Sequence, residues 1–297
     1  MILRNNISMK AICVVIAIAV TGFASVTARA VAPQEVTVPA TISEDFHSDI
    51  IGRDYKLSVS LPDGFAANGD KQYPVLYILD GNMYFATAVQ SYRVQRLGND
   101  VPEMIIVGVE YPTRRTDEWL VRRAGELTPT QRKDFDEGYS KQYNIPSTSG
   151  EAATFLKVMK DEIVPFIAKK YRASDDRALF GHSLGGLFAT YSLLQENRLF
   201  NRYIISSPSL WWDDEVAFKQ EAKFYETNKA IHAKVMLSVG ALEGQQMVPP
   251  MQRMSDILNA RGYEGLSLVS HIFPNETHLS VQPGTLSRGL RTVFETE

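Results

Sequence analysis

The chain has 297 residues, with 31 Lys and Arg against 34 Asp and Glu, a net charge of −3, and a single cysteine. An acidic balance without a long basic run argues against a nucleic-acid-binding protein. One cysteine excludes a disulfide scaffold and a thiolate metal centre.

The first 30 residues read as a secretory signal peptide. Arg4 and Lys10 give a positive start, Ala11 to Val20 is an apolar run too short to span a bilayer, and Ala28-Arg29-Ala30 is a cleavage site. An uncleaved membrane anchor is the alternative. A lipoprotein fits less well, because Cys13 opens the apolar run instead of following a small-residue motif. Cleavage before Val31 would leave 28 basic and 34 acidic residues in 31–297, a net charge of −6, and no cysteine. That length suits one α/β domain. The expected address is the periplasm or the medium, with no membrane span after cleavage.

Tyr55 to Leu61 alternates apolar and polar residues, as a half-exposed antiparallel strand at a sheet edge does. Pro74 to Leu79, Met104 to Val109, Lys234 to Val239 and Leu266 to Phe273 are continuous apolar runs. Such runs fit parallel strands covered on both faces. Amphipathic helices are expected at about 151–170, 184–196, 250–261 and 284–294. The sum is an α/β fold: a doubly wound, mostly parallel sheet with an antiparallel start. Residues 111–150 break the rhythm with charges, Pro112, Pro129 and Pro146. Forty residues is long for a plain connection, so an insertion covering the active-site side is expected.

The strongest signal is Gly181-His182-Ser183-Leu184-Gly185, followed by Gly186. A short apolar strand, Arg177 to Phe180, precedes it, and a buried helix, Leu187 to Leu194, follows. This is the G-x-S-x-G nucleophile elbow in the strand–turn–helix setting that the chemistry needs. Ser183 would project its hydroxyl clear of the sheet. The backbone N–H of Leu184 would face an oxyanion at the helix N-terminus.

A serine hydroxyl needs a base to take its proton. In the α/β-hydrolase fold, the acid and then the histidine follow the serine in the chain. Of three downstream histidines, His232 precedes a strand and His271 lies inside one. His278 sits in a loop directly after the last strand, at the sheet end where such chemistry collects. Glu243, after the strand ending at Val239-Gly240, is the natural acid. Glu276, Asp213 and Asp214 compete with it, and a Ser–His pair without a carboxylate is also open. The second oxyanion donor should be the backbone N–H of Asn82, in the turn after the Pro74–Leu79 strand.

These residues resemble the esterase D-like esterases of the α/β-hydrolase superfamily. That group includes enterobactin-type siderophore esterases, feruloyl and acetyl-xylan esterases, S-formylglutathione hydrolases and mycolyltransferases. The matching pieces are Tyr77 to Asn82, Leu179 to Gly186, Ser206 to Trp212 and Phe273 to Ser280, in order over nearly all of 31–297. The resemblance implies Ser183 as nucleophile, His278 as base and Glu243 as acid. It departs at Leu279, where many members carry glycine, and siderophore-type members have been described as working with a Ser–His pair. Ser206 to Trp212 and the arginine-rich segment after Tyr111-Pro112 look most like the siderophore esterase branch. On that basis Arg114, Arg115, Arg122 and Arg123 would clamp an anionic ferric catecholate, with Trp211 and Trp212 as flat apolar surface. Ion pairing with Asp117, Glu118 and Glu126, and core packing for one tryptophan, are the plainer alternatives.

The expected function is a serine carboxylic-ester hydrolase working through an acyl-enzyme, without metal or organic cofactor, with siderophore trilactones as substrates. A general or feruloyl or acetyl esterase and an acyltransferase share every catalytic residue. A non-catalytic protein that binds a siderophore or a sugar is the alternative from another class.

Overall fold

A computed structural model describes residues 37–66 and 69–295. The expected signal peptide, its cleavage site and Cys13 lie outside the described residues. Among the described residues no helix is long and apolar enough to cross a membrane.

Eight strands form one sheet: β1 (Thr41–Ser48), β2 (Arg53–Ser60), β3 (Tyr73–Ile78), β4 (Ile105–Glu110), β5 (Ala173–His182), β6 (Arg202–Ser206), β7 (Ala230–Gly240) and β8 (Glu264–Phe273). Their order is β1-β2-β4-β3-β5-β6-β7-β8. β1, β2 and β4 pair antiparallel, and every later neighbour pairs parallel. The expected doubly wound sheet with an antiparallel start is therefore present.

Alternation within the central strands divides the core. On β3, Val75 and Tyr77 face one layer and Leu76 and Ile78 the other. The second layer is closed by α1 (Gly81–Leu97), through Phe85 and Val89, together with the C-terminal helix. Two helices from the 111–150 segment follow, α2 (Thr116–Glu126) and α3 (Lys133–Tyr143). Then come α4 (Ala152–Val158), α5 (Val164–Tyr171) and α6 (Leu184–Leu193). Phe155, Ile167 and Leu187 from these three close the first layer. The last three are α7 (Trp212–Thr227), α8 (Val248–Arg261) and α9 (Gln282–Phe294). α9 seals the second layer with Leu286, Leu290 and Val293. Fully burying each such side chain contributes roughly 1.5–3 kcal/mol.

Two expectations about strands need correction. The Tyr55–Leu61 strand is not the sheet edge: β1 lies outside it, and Tyr55, Leu57 and Val59 are buried. Conversely, the Leu266–Phe273 run is not covered on both faces. β8 is the opposite edge, and Val269 is 44% exposed. His271, on this edge, packs its ring against Phe273.

The carboxyl ends of β3, β5, β6 and β7 lie side by side, and the turns that leave them carry Asn82, Ser183, Ser207 and Glu243. This is the end of an open α/β sheet where ligands bind.

Candidate active site

The elbow is built by close approach. A Cβ on Gly181 would lie 2.0 Å from the Gly185 carbonyl oxygen, and one on Gly186 would lie 2.8 Å from that of Ser206. Only glycine fits at either position. Between them Ser183 takes φ 61° and ψ −117°, a conformation that side chains rarely adopt and that clusters at functional sites. It is held there because its N–H donates to Ser206 O (3.0 Å) and its carbonyl accepts from Ser209 N (3.1 Å).

His278 Nε2 lies 3.0 Å from Ser183 Oγ, and His278 Nδ1 lies 2.6 Å from Glu243 Oε2. A carboxylate can only accept, so Nδ1 carries the proton and Nε2 is free to accept from the serine hydroxyl. The Glu243 side chain is buried and leaves the short helical turn Ala241–Glu243. Its Oε1 accepts from Gly240 N and from Ser207 Oγ, each at 2.6 Å. Burial by itself raises the pKa of this carboxyl. The hydrogen bonds from His278, Ser207 and Gly240 outweigh burial and hold it below its ordinary value. Glu276 instead pairs with Ser280, and Asp213 and Asp214 sit in a left-handed turn before the body of α7. Among the described residues, the imidazole that meets Ser183 is that of His278.

Leu184 is the first residue of α6, and Asn82 lies in the first turn of α1. N–H groups there have no intrahelical acceptor and lie at the positive end of a helix dipole. Asn82 is fixed through its side chain: Nδ2 donates to Tyr111 O (2.9 Å), and Oδ1 accepts from Tyr111 N (2.8 Å).

The arginine cluster separates into two kinds. Arg123 is buried; Nε and Nη2 each reach the Asp80 carboxylate at 2.8 Å, and Trp119 Nε1 donates to the same group at 3.0 Å. Asp80 occupies the left-handed region (φ 52°) directly before α1, so this pair locks the turn carrying Asn82. Burial works against the charged guanidinium, but Asp80 outweighs it and raises the Arg123 pKa. Removing Arg123 alone would strand a buried carboxylate, at a cost of about 3–5 kcal/mol. Arg122 lies against the rings of Tyr55 and Tyr111, 4.5 and 4.9 Å from their centres, with Nε on Glu126 at 3.0 Å. Arg123 is thus held inside the fold, against the expectation of a substrate contact, while Arg122 follows the plainer alternative of pairing with Glu126 and keeps 20% of its side chain exposed. Arg114 and Arg115 line a groove of about 440 Å³ with Asn82, Met83 and Trp119. Arg115 pairs there with Asp117 and, more loosely, Glu118.

The tryptophans divide likewise. Trp212 is fully buried, with Nε1 on Thr130 O at 3.2 Å, and belongs to the core. Trp211 is only partly buried and packs at its edge. The 111–150 segment thus packs through Trp119, Arg123 and Thr130 onto the elements that hold the elbow.

Two residues near His278 were not anticipated. His182, the residue before Ser183, packs its ring 4.5 Å from that of His278, tilted by 40°. Gln282, at the start of α9, donates to His278 O at 2.6 Å. A histidine inside the motif was a readable signal for the first; nothing in the sequence marks the second.

The esterase family model ("Putative esterase") matches residues 48–252. The chain is 30% identical to the ferri-bacillibactin esterase BesA of Bacillus subtilis over 86% of its own length and 90% of that protein. It is 29% identical to the siderophore triacetylfusarinine C esterase of Aspergillus fumigatus, over 87% and 95%. Among solved structures, the BES protein from Bacillus cereus superposes with a TM-score of 0.78 at 30% identity, over 90% of this chain and all of that one. An IroE-like serine hydrolase from Shewanella oneidensis gives 0.73 at 26%, over 86% and 80%. The non-catalytic binding reading gives way to these relationships. With the serine elbow and the helices flanking the sheet in place, the chain belongs to the esterase family, as an ester-hydrolysing enzyme of α/β-hydrolase fold.

Proposed function

We propose that this esterase works in the periplasm and hydrolyses the ester bonds of a siderophore, with Ser183, His278 and Glu243 as its catalytic residues. The observation that carries the mechanism is the unbroken line from Ser183 Oγ through His278 to Glu243, at 3.0 and 2.6 Å. Ser183 Oγ attacks the ester carbonyl carbon while its proton passes to His278 Nε2. The N–H groups of Leu184 and Asn82 hold the resulting oxyanion. Collapse breaks the ester C–O bond, and the leaving alkoxide takes the proton from Nε2. Water then attacks the acyl-enzyme by the same route, releasing the carboxylic acid and restoring Ser183. Glu243 keeps Nδ1 protonated and stabilises the imidazolium.

Two features support a large, partly aromatic ester as substrate. Met83, Leu242 and Leu279 are 56%, 62% and 82% exposed, and each is next in sequence to Asn82, Glu243 or His278. Each offers apolar contact area to a substrate held at its neighbour. The groove with Arg114 and Arg115, which Glu110 also lines, lies beside Asn82 and offers polar and charged contacts. The names of the relatives point to siderophore esters, and the expected leader supports the periplasmic address. Iron belongs to the substrate in this reading.

Side-by-side hydrolysis of ferric enterobactin, iron-free enterobactin, a feruloyl ester and short p-nitrophenyl esters tests the substrate. The proposal expects kcat/KM for a trilactone to exceed that for the simple esters by roughly 10-fold or more. Better turnover of the feruloyl or nitrophenyl esters would remove the siderophore assignment and leave the esterase.

A further inference from the structure

Behind His278 lies a buried polar chain that the ester mechanism leaves unused. Gln282 is 6% exposed and His182 is 2% exposed. The Gln282 atom 2.6 Å from the His278 carbonyl must be the amide nitrogen, because a carbonyl only accepts. The same NH2 group points its second hydrogen at His182 Nε2, 3.0 Å away. His182 Nε2 is therefore an acceptor, and Nδ1–H donates to Ser206 Oγ at 3.0 Å. The chain runs on through Thr285 Oγ1, 3.4 Å from Ser206 Oγ and 2.9 Å from Ser238 Oγ. One amide thus grips the backbone of His278 and fixes the tautomer of the ring packed against it.

We propose that His182 and Gln282 are positioning residues that hold the His278 imidazole in line with Ser183. The inference rests on His278 being the base. Its physical content is twofold. The loop 274–281 leaves an edge strand; Leu242 N on Glu276 O (2.9 Å) and the turn from Thr277 to Ser280 and Val281 hold its flanks, and Gln282 ties the His278 carbonyl itself to α9. The ring against His278 must also remain uncharged, because a second cation at 4.5 Å would oppose formation of the imidazolium. Protonating His182 would set N–H against N–H at Gln282. The groups around the ring agree. Tyr84 from α1 meets it edge-on, and Arg123 from α2 reaches its carbonyl at 3.4 Å. His278 faces it from the last loop, Ser206 from β6 and Gln282 from α9. Burial first, then His278 and Arg123, push the His182 pKa well below its ordinary value.

The test uses Gln282→Leu, Gln282→Glu and His182→Phe in the full enzyme with a p-nitrophenyl ester. Gln282→Leu should lower kcat by about 10–100-fold with KM within about two-fold, the size typical of lost orienting contacts behind a catalytic ligand. Gln282→Glu sets a carboxylate beside His182 Nε2 and the His278 carbonyl, where the amide lies. It should move the acid limb of the kcat/KM profile to higher pH, which a merely structural residue would not do. If Gln282→Leu fails to fold, His182→Phe keeps a ring against His278, removes both hydrogen bonds and carries the same expectation for kcat. Full kcat in the folded variants, or an unshifted acid limb in Gln282→Glu, would overturn the brace. His278→Ala, run alongside, separates the two readings. If it retains full hydrolysis, the base assignment falls, whereas its inactivity beside fully active Gln282 variants sinks the brace alone.

Discussion

Ser183→Ala abolishes ester hydrolysis, lowering kcat by on the order of 10⁵–10⁶, while the protein melts within about 2 °C of the parent. The kinetic loss is large because no other group supplies the attacking oxygen at the point where the elbow and the oxyanion donors converge. Ser209 Oγ lies only 3.4 Å from Ser183 Oγ, but it has no imidazole to take its proton. The small change in stability follows from the local bonding. Among the described residues the Ser183 hydroxyl bonds to His278 and Ser209, and the backbone bonds that hold φ 61° survive in alanine. Steady-state kinetics and a thermal melt on the purified variant check both halves. A folded Ser183→Ala enzyme with undiminished turnover would contradict the assignment.

Glu243→Gln costs about 10³–10⁴ in kcat. The amide is nearly isosteric, so the geometry survives, but it no longer dictates which nitrogen of His278 is protonated. The wrong tautomer presents N–H to Ser183, and the imidazolium loses its counter-charge. A loss under 10-fold would mean that a Ser–His pair suffices and that Glu243 serves the fold. The same carboxylate ties stability to pH. Its folded pKa is lowered, so the unfolded state binds its proton first. The stability it contributes is complete above the ordinary carboxylate pKa and is lost as pH falls through the folded value. Melting curves of the two proteins should therefore converge on acidification through that window. Parallel curves would show that the Glu243 carboxylate carries no such linkage.

The elbow was legible because its constraint is local: Gly181, Ser183 and Gly186 meet steric limits set within a few residues or by the neighbouring strand. The meeting of His278 and Glu243 with Ser183 was legible from chain order, since the parallel strands deliver successive turns to one end of the sheet. What stayed hidden depends on partners remote in sequence. Arg123 looks like any surface arginine until Asp80, 43 positions away, is folded against it. Trp212 is drawn into the core by Thr130, 82 positions earlier. β1 was missed because an outer strand buries little and needs few apolar residues. β6 was missed because it is only five residues long. β8 reads apolar yet is half open, since a run of Leu, Val and Ile does not reveal which face lacks a covering helix.

The most direct measurement is an intact-mass and peptide-mapping experiment with an alkyl fluorophosphonate, which forms a P–O bond to an activated serine and expels fluoride. The account predicts one phosphonyl group per chain, on the peptide containing Ser183, with hydrolysis lost in step. Labelling should slow sharply in His278→Ala. Adduct on another residue, or an unlabelled Ser183 in an enzyme that the reagent inactivates, would contradict it.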